Sequence, residues 1–401
     1  MTASAGSGRK ILIIVENLTV PFDRRVWQEA TTLQDAGYQV SVICPTGEGH
    51  ETLREAQQGV QIYRYGLPFE AKSALGYLVE YGWALIAQFI LAIQVLREHG
   101  FDAIHACNPP DNIFLIGAFF KLFGKRFLFD HHDINPELYE AKFGRRGFWY
   151  RMLRTMERLT FLTADVSLAT NESYREIAID RGRMDPARVF VVRSGPDLGR
   201  VHLLPGNSSL KKGRKYLVGY VGVMGEQEGI DYLLRAARVI VVGRGRRDIQ
   251  FGLVGGGTEL AALRRMADSL GVAEYVTFTG RVPDQTMLEM LSTADVCVNP
   301  DVANEMNDKS TMSKIMEYMA LGKPIVQFDL TEGRRSALDA SLYARRNDVH
   351  DLAQKIIELV DDPERRQRMA DFGRHRVETE LQWSHEAPKL LAAYRVLFGQ
   401  G

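Results

Sequence analysis

Short apolar runs alternate along this chain with segments whose apolar residues recur at helical spacing. Residues 10–15 read as a buried strand, followed by a loop over 16–23. Asp23 is placed to cap a helix that runs to about Ala36, and Gly37 ends it. Residues 39–43 are the next strand. Further strands are expected at 102–106, 126–129, 165–169 and 189–192, with helices between them. The most apolar helix covers 75–96. Glu80, Gln88 and Gln94 interrupt it and Arg97 closes it, so it reads as a buried or interfacial crossover helix rather than a membrane span. Strand, helix and strand in succession predict an open parallel sheet, with ligands beyond the carboxyl ends of the strands.

After an aperiodic stretch over 198–215 the same alternation restarts. Strands are expected at 217–221, 249–254, 276–279 and 296–299. Their ends carry Gly222, then Gly255-Gly256-Gly257, then Gly280-Arg281-Val282. Glycine there lets a ligand approach the backbone, and its repetition at successive strand ends suggests a nucleotide-sized cleft. A glycine-rich dinucleotide fingerprint after the first strand is absent. The expected architecture is α/β, with two Rossmann-like doubly wound domains facing an interdomain cleft. The expected divisions are a disordered leader over 1–9, a first domain over 10–197, a linker over 198–215, a second domain over 216–376, and a tail over 377–401 that ends in a helix.

The stretch 299–326 organises the second half. Met312, Ile315, Met316, Met319 and Ala320 make one apolar helix face, while Ser310, Ser313, Lys314 and Glu317 recur on another. Gly322 and Pro324 stop the helix. Hydroxyls, free N–H groups and a cation at its start suit a phosphate, with Thr311 and Lys309 beside them, and the Glu317 carboxylate suits the two hydroxyls of a ribose. The same spacing also suits an ordinary amphipathic core helix. In the first half, the strand at 126–129 delivers Asp130-His131-His132-Asp133 to the mouth of the expected cleft. Adjacent histidines point apart and lack further ligands at metal spacing, which favours one histidine facing a substrate over a metal site. Between 142 and 158, Lys142, Arg145, Arg146, Arg151, Arg154 and Arg158 interleave with Phe148, Trp149 and other apolar residues. That is the pattern of a helix on an anionic bilayer, or of a solvated amphipathic helix with its aromatics turned inward.

Composition narrows the choice. The 401 residues are 45% hydrophobic and 25% charged, enough for two cores, and 50 basic residues balance 50 acidic ones. No global basicity points to nucleic acid. Cys44, Cys107 and Cys297 are scattered, as in a reducing cytosol, and residues 1–9 have no apolar signal core.

Several motifs together carry a resemblance: Pro21-Phe22-Asp23-Arg24-Arg25-Val26-Trp27, His132-Asp133, Ser194-Gly195-Pro196-Asp197, Leu253-Val254-Gly255-Gly256-Gly257, Phe278-Thr279-Gly280-Arg281-Val282, and above all residues 314–324, Lys-Ile-Met-Glu-Tyr-Met-Ala-Leu-Gly-Lys-Pro. The chain resembles the GT-B glycosyltransferases of retaining family 4, also called the group 1 glycosyltransferases, over nearly all of 10–398. The resemblance implies a hexosyltransferase-type enzyme of polysaccharide or glycoconjugate synthesis. A nucleotide-sugar donor, with uracil the preferred base, would bind the second domain. A glycan or lipid-linked acceptor would bind the first, on the side that carries Asp23, Arg24 and the basic stretch with Arg146, Trp149, Arg151 and Arg154. No metal or other cofactor is expected, and the location would be the cytoplasm, peripheral at the membrane. The final helix would cross back to the first domain. Position by position, Glu317 matches the ribose-binding glutamate and His132 the histidine near the reacting sugar. The backbone at Arg281 and Val282 would meet the base, and Gly222, Gly255 and Gly256 would border the cleft.

Departures accompany the match. Lys309 stands where the family has a second glutamate, and Val223 and Glu228 stand where it has the arginine and lysine of a diphosphate clasp. Lys309 and Lys314, with Ser310, Thr311 and Ser313, are the expected replacements, stabilising charge on the leaving phosphate during front-face transfer while His132 orients the sugar. A donor-binding subunit dependent on a partner, or a nucleotide-sugar epimerase, is the alternative.

Overall fold

The computed structural model describes residues 8–66 and 74–400, so residues 1–7 of the expected leader lie outside the described residues. The chain divides into two units, one running to Ser194 and resuming at Glu386, the other formed by Gly195–His385.

The first unit is built on eight strands: β1 (Lys10–Ile14), β2 (Gln39–Pro45), β3 (Arg54–Gln57), β4 (Val60–Tyr65), β5 (Ala103–Cys107), β6 (Arg126–His131), β7 (Val166–Ala169) and β8 (Val189–Val191). Their order is β3-β4-β2-β1-β5-β6-β7-β8, parallel except for β3 against β4. The inner strands are buried along their length, which is why they read as unbroken apolar runs rather than alternating ones. The edge strand β3 is polar and mostly exposed, and gave the sequence reading nothing to detect. Asp23 caps the helix Arg24–Asp35, its carboxylate accepting from Val26 N–H at 3.1 Å.

Helix Ala74–Glu98 lies on this sheet through Ala84, Gln88, Ala92 and Val95, while Val79, Trp83, Ile86 and Ile90 on its far side are half or more exposed. The expectation of a single helix over the basic stretch is corrected: helix Asn135–Phe143 ends at Gly144 in the left-handed conformation, and helix Phe148–Thr163 starts afresh. Within the second helix Arg151 and Arg158 are exposed, whereas Tyr150, Glu157 and Phe161 are buried.

The second unit has six parallel strands: β9 (Tyr216–Val221), β10 (Ile249–Val254), β11 (Val276–Gly280), β12 (Val296–Asn299), β13 (Ile325–Phe328) and β14 (Ser341–Ala344), in the order β11-β10-β9-β12-β13-β14. Leu233, Phe251, Phe328 and Ile356 belong to one apolar cluster, and Leu291, Ile315, Met319 and Val377 to another. Residues 198–215, expected to be a linker, pack on this unit: Val201 is fully buried, and Leu198, Leu204 and Leu210 lie against the second cluster. The closing helix Trp383–Leu397 belongs to the first unit from Glu386 onward, where Tyr394 packs on Tyr38 with ring centroids 5.4 Å apart.

Candidate active site

In the first unit the strand-end tetrad is organised by a residue from the neighbouring strand-end helix, Arg25. Its Nε and Nη2 donate to the two oxygens of Asp130 at 3.0 and 2.8 Å, and Nη1 donates to Val192 O at 2.8 Å and Ser194 Oγ at 3.3 Å. His132 Nε2 stands 2.5 Å from Asp130 Oδ2. With Asp130 ionised, that distance assigns the ring proton to Nε2, and the 3.0 Å between Nε2 and Arg25 Nε is a shared approach to one carboxylate rather than a second bond. Burial alone would raise the Asp130 pKa, but Arg25 and then His132 outweigh it and hold the group well below the usual carboxylate range. The backbone of the next turn is fixed by Asn108, whose Oδ1 accepts from His132 N–H at 2.7 Å and Asp133 N–H at 3.2 Å.

His131 and His132 do diverge. His131 is buried among Phe129, Phe161 and Tyr174, and burial pushes its pKa down to about 3, so it is a neutral core residue. Glu29, His105, Cys107 and Asp130 offer atoms within 4.8 Å of one another, a spacing that suits a metal. The guanidinium of Arg25 already binds Asp130 and lies 3.1 Å from Glu29, so the positive charge of this cluster is Arg25 itself. Burial drives Glu29 well above its ordinary pKa, and a protonated Glu29 lets the cluster approach neutrality.

In the second unit Glu317 sits one turn inside helix Ser313–Ala320, mostly buried, and accepts from Arg200 Nη2 at 2.7 Å. Arg200 Nη1 also reaches Asp284 at 2.9 Å. Nothing in the sequence reading pointed to Arg200, which lies 117 positions from its partner in a stretch without periodicity. Lys314 differs from expectation. Its Nζ donates to Glu228 Oε2 at 2.5 Å and to Asp301 Oδ1 at 2.8 Å, and it is largely buried. Glu228, which stands at a position of the family's diphosphate clasp, is thus an ion-pair partner of Lys314, held also by Tyr220 OH at 3.0 Å. Gly229 makes this possible: at φ 62° it lies so close to the strand-end backbone that a Cβ would fall 2.0 Å from Pro300 O. Burial raises Asp301 and Lys314 lowers it, leaving it at about 7, while Glu228 stays below its ordinary value because Lys314 outweighs burial.

The start of the helix is also revised. Lys309 closes a separate short helix, Glu305–Lys309, and its Nζ pairs with Glu305 at 2.8 Å. Ser310 follows that helix and donates to Met306 O at 2.8 Å, so it does not share a helical face with Lys314 and Glu317. Thr311 is half-buried and Ser313, the first helical residue, is exposed. The glycines serve the backbone rather than an open approach. A Cβ on Gly255, at φ 132°, would lie 1.9 Å from Gly222 O, and one on Gly222 2.4 Å from Tyr220 OH. Gly256 lies under the side chain of exposed Arg281, and Val282 packs half-buried on the unit's core. On the other unit Arg24 is exposed, Arg146 pairs with Glu140 at 2.7 Å, and Trp149 lines a pocket described below.

Comparison with known proteins agrees with this geometry. The family described as "Glycosyl transferase 4-like domain" matches residues 23–195, and that described as "Glycosyl transferases group 1" matches residues 215–362. The GDP-mannose-dependent monoacylated alpha-(1-6)-phosphatidylinositol monomannoside mannosyltransferase of Corynebacterium glutamicum is 31% identical over 160 residues, 39% of this chain and 41% of that protein, so the match spans less than half of the relative. Among solved structures, sucrose-phosphate synthase from Thermosynechococcus elongatus has a TM-score of 0.81 at 19% identity, covering 98% of this chain and 100% of that one. Anabaena HepE in complex with UDP and glucose has a TM-score of 0.72 at 16% identity, covering 96% and 99%. With both sheets parallel but for the edge strand β3, both halves matched, and the Glu317 helix and the His132 turn at strand ends, the chain belongs to the group 1 glycosyltransferases and has the GT-B fold.

Proposed function

We propose that this chain is a retaining, metal-independent glycosyltransferase that moves a hexosyl group from a nucleotide sugar, UDP-linked first among the candidates, to a glycan or lipid-linked acceptor of cell-surface polysaccharide or glycoconjugate synthesis, at the cytoplasmic side of a membrane. The observation that carries it is the Glu317 carboxylate, oriented by Arg200 one turn inside a helix whose N-cap residue, Met312, makes no side-chain capping bond, an N-terminus suited to an anion. A ribose offers two hydroxyl donors to that carboxylate, and the diphosphate lies toward the helix start. HepE with UDP and glucose and the GDP-mannose-dependent relative support a nucleotide-sugar donor without choosing the base.

The phosphate-side chemistry departs from a bare clasp. Lys314 shares its charge with Glu228 and Asp301, so the triad is net negative when both acids are ionised and neutral when Asp301 holds a proton. Charge growing on the leaving phosphate is then met by the helix N–H groups, the hydroxyls of Thr311 and Ser313, and Ser310 and Lys309 once released from Met306 O and Glu305. On the first unit, His132, locked by Asp130, orients the reacting sugar.

The test is direct. The purified chain is incubated with UDP-, GDP- and ADP-hexoses and a short alkyl glycoside acceptor, with and without EDTA, and the product is read by NMR. A new glycoside with the donor's anomeric configuration, formed equally in EDTA, is expected. Glu317→Gln, which weakens charge-assisted hydrogen bonds worth about 1.5–3 kcal/mol each, should lower donor affinity at least tenfold. Donor binding without transfer to any acceptor would instead make the chain a donor-binding subunit.

A further inference from the structure

The first unit holds a pocket of about 420 Å³ between helices Ala74–Glu98, Asn135–Phe143 and Phe148–Thr163. Its body is apolar, formed by Leu138, Tyr139, Trp149, Met152, Leu153 and Met156. The volume is that of a small-molecule site, since ligand pockets run from roughly 300 to 1,000 Å³. The lining is wrong for a sugar, which needs many hydrogen-bonding partners, and right for hydrocarbon, with two flexible methionines able to adapt to a chain.

One end of the pocket is polar and is tied to the catalytic turn. Asp111 lines that end and accepts from Asn108 Nδ2 at 2.9 Å and from Asn135 Nδ2 at 2.8 Å. The same Asn108 side chain receives the backbone N–H of His132 at 2.7 Å. A single side chain thus spans the pocket wall and the turn that presents His132. At the rim stands Lys142, an exposed cation that lines the pocket.

The surface around the pocket is apolar too. Val79, Trp83, Ile86 and Ile90 form an exposed stripe on one helix. Leu115, Phe119, Leu122 and Phe123 continue it on the neighbouring helix and its end, joined through the edge contact of Phe89 with Phe119 at 4.9 Å. Exposed apolar surface on this scale marks an interaction face. Lys142 at the pocket complements an anionic head group, a cation near such a surface contributing favourably.

We propose that this pocket takes one hydrocarbon chain of a membrane-resident lipid phosphate, whose head then emerges beside His132, while the exposed stripe rests in the bilayer surface. This rests on the reading of a lipid-linked acceptor and names its chemical class. The occupant is a lipid rather than a protein because the exposed apolar face, a mainly apolar pocket and the Lys142 cation at that pocket occur together.

The full-length chain is titrated with farnesyl phosphate and with isopentenyl phosphate, and floated with vesicles of phosphatidylglycerol and phosphatidylethanolamine, without nucleotide sugar. Farnesyl phosphate should bind at least tenfold tighter than isopentenyl phosphate, and Leu153→Trp, which fills the pocket, should weaken it at least tenfold. The double variant Ile86→Glu, Ile90→Glu should lose flotation at least tenfold and keep farnesyl phosphate binding. Equal binding of the two phosphates, or unchanged binding in a folded Leu153→Trp, overturns the pocket assignment. If Leu153→Trp does not fold, the chain-length comparison on the parent decides. Unchanged flotation of the double variant, or self-association of the parent that this variant abolishes, overturns the bilayer assignment. Because no donor is present, failure here leaves the transfer reading standing, and failure of transfer leaves lipid binding standing.

Discussion

At the residue scale the site is governed by who neutralises whom. Lys314 looks in the sequence like a bare cation on a phosphate-facing helix, because only Lys314 is visible there; Glu228 lies 86 positions away and Asp301 13. The triad has a titration consequence. Burial lifts Asp301 from an ordinary 3.8 to about 7, so between those values the folded chain holds a proton the unfolded chain has shed. Its contribution to stability is present below about pH 4 and is lost as pH rises through about 7. Asp301→Asn removes that titration and leaves Lys314 paired with Glu228. The melting temperature of the variant minus that of the parent should therefore climb from pH 4 to about 7 and then level off, read by calorimetry across buffers. A flat or falling difference would mean that Asp301 is ionised throughout. That His131 and His132 point apart was legible, but not how His132 is held: Arg25 and Asp130 meet only once the strands are laid side by side.

At the element scale, what could be read is what repeats locally. Buried parallel strands read as apolar runs, and Asp23 announced its helix, because both signals lie within a few residues. The polar edge strand Arg54–Gln57 and the packed stretch 198–215 carry no period and were not legible. The strand-end glycines were legible as positions of close approach, yet what approaches is protein. Gly255 meets the backbone of Gly222, so a methyl there must push two strand ends apart, an overpacking that costs typically 1–3 kcal/mol or roughly that range. Gly255→Ala should thus lower the melting temperature of the second unit even without ligand. Gly225→Ala, where an added methyl meets nothing within 4 Å, should leave it unchanged. If Gly255→Ala melts like the parent and loses only nucleotide binding, the glycine serves the ligand after all.

At the scale of the whole molecule, the two units are not made of chain in equal ways. The second is one continuous stretch, Gly195–His385, whereas the first is closed by residues that follow it. Tyr394 donates or accepts at His105 Nδ1 at 2.8 Å and covers Tyr38, and Leu390, Ala393 and Leu397 are buried with it. A chain stopped after His385 should keep a cooperatively melting second unit while the first becomes sensitive to protease. Resistance of both units to limited proteolysis would show that the last helix is dispensable. The same arrangement sets an order on the ribosome. Residues 8–194 emerge before the second unit but wait, with the seat of Tyr394 uncovered, until the helix that follows His385 has been made. The unit synthesised second is the one that can finish folding first, and until the closing helix follows, the earlier unit is a client for whatever shields nascent apolar surface.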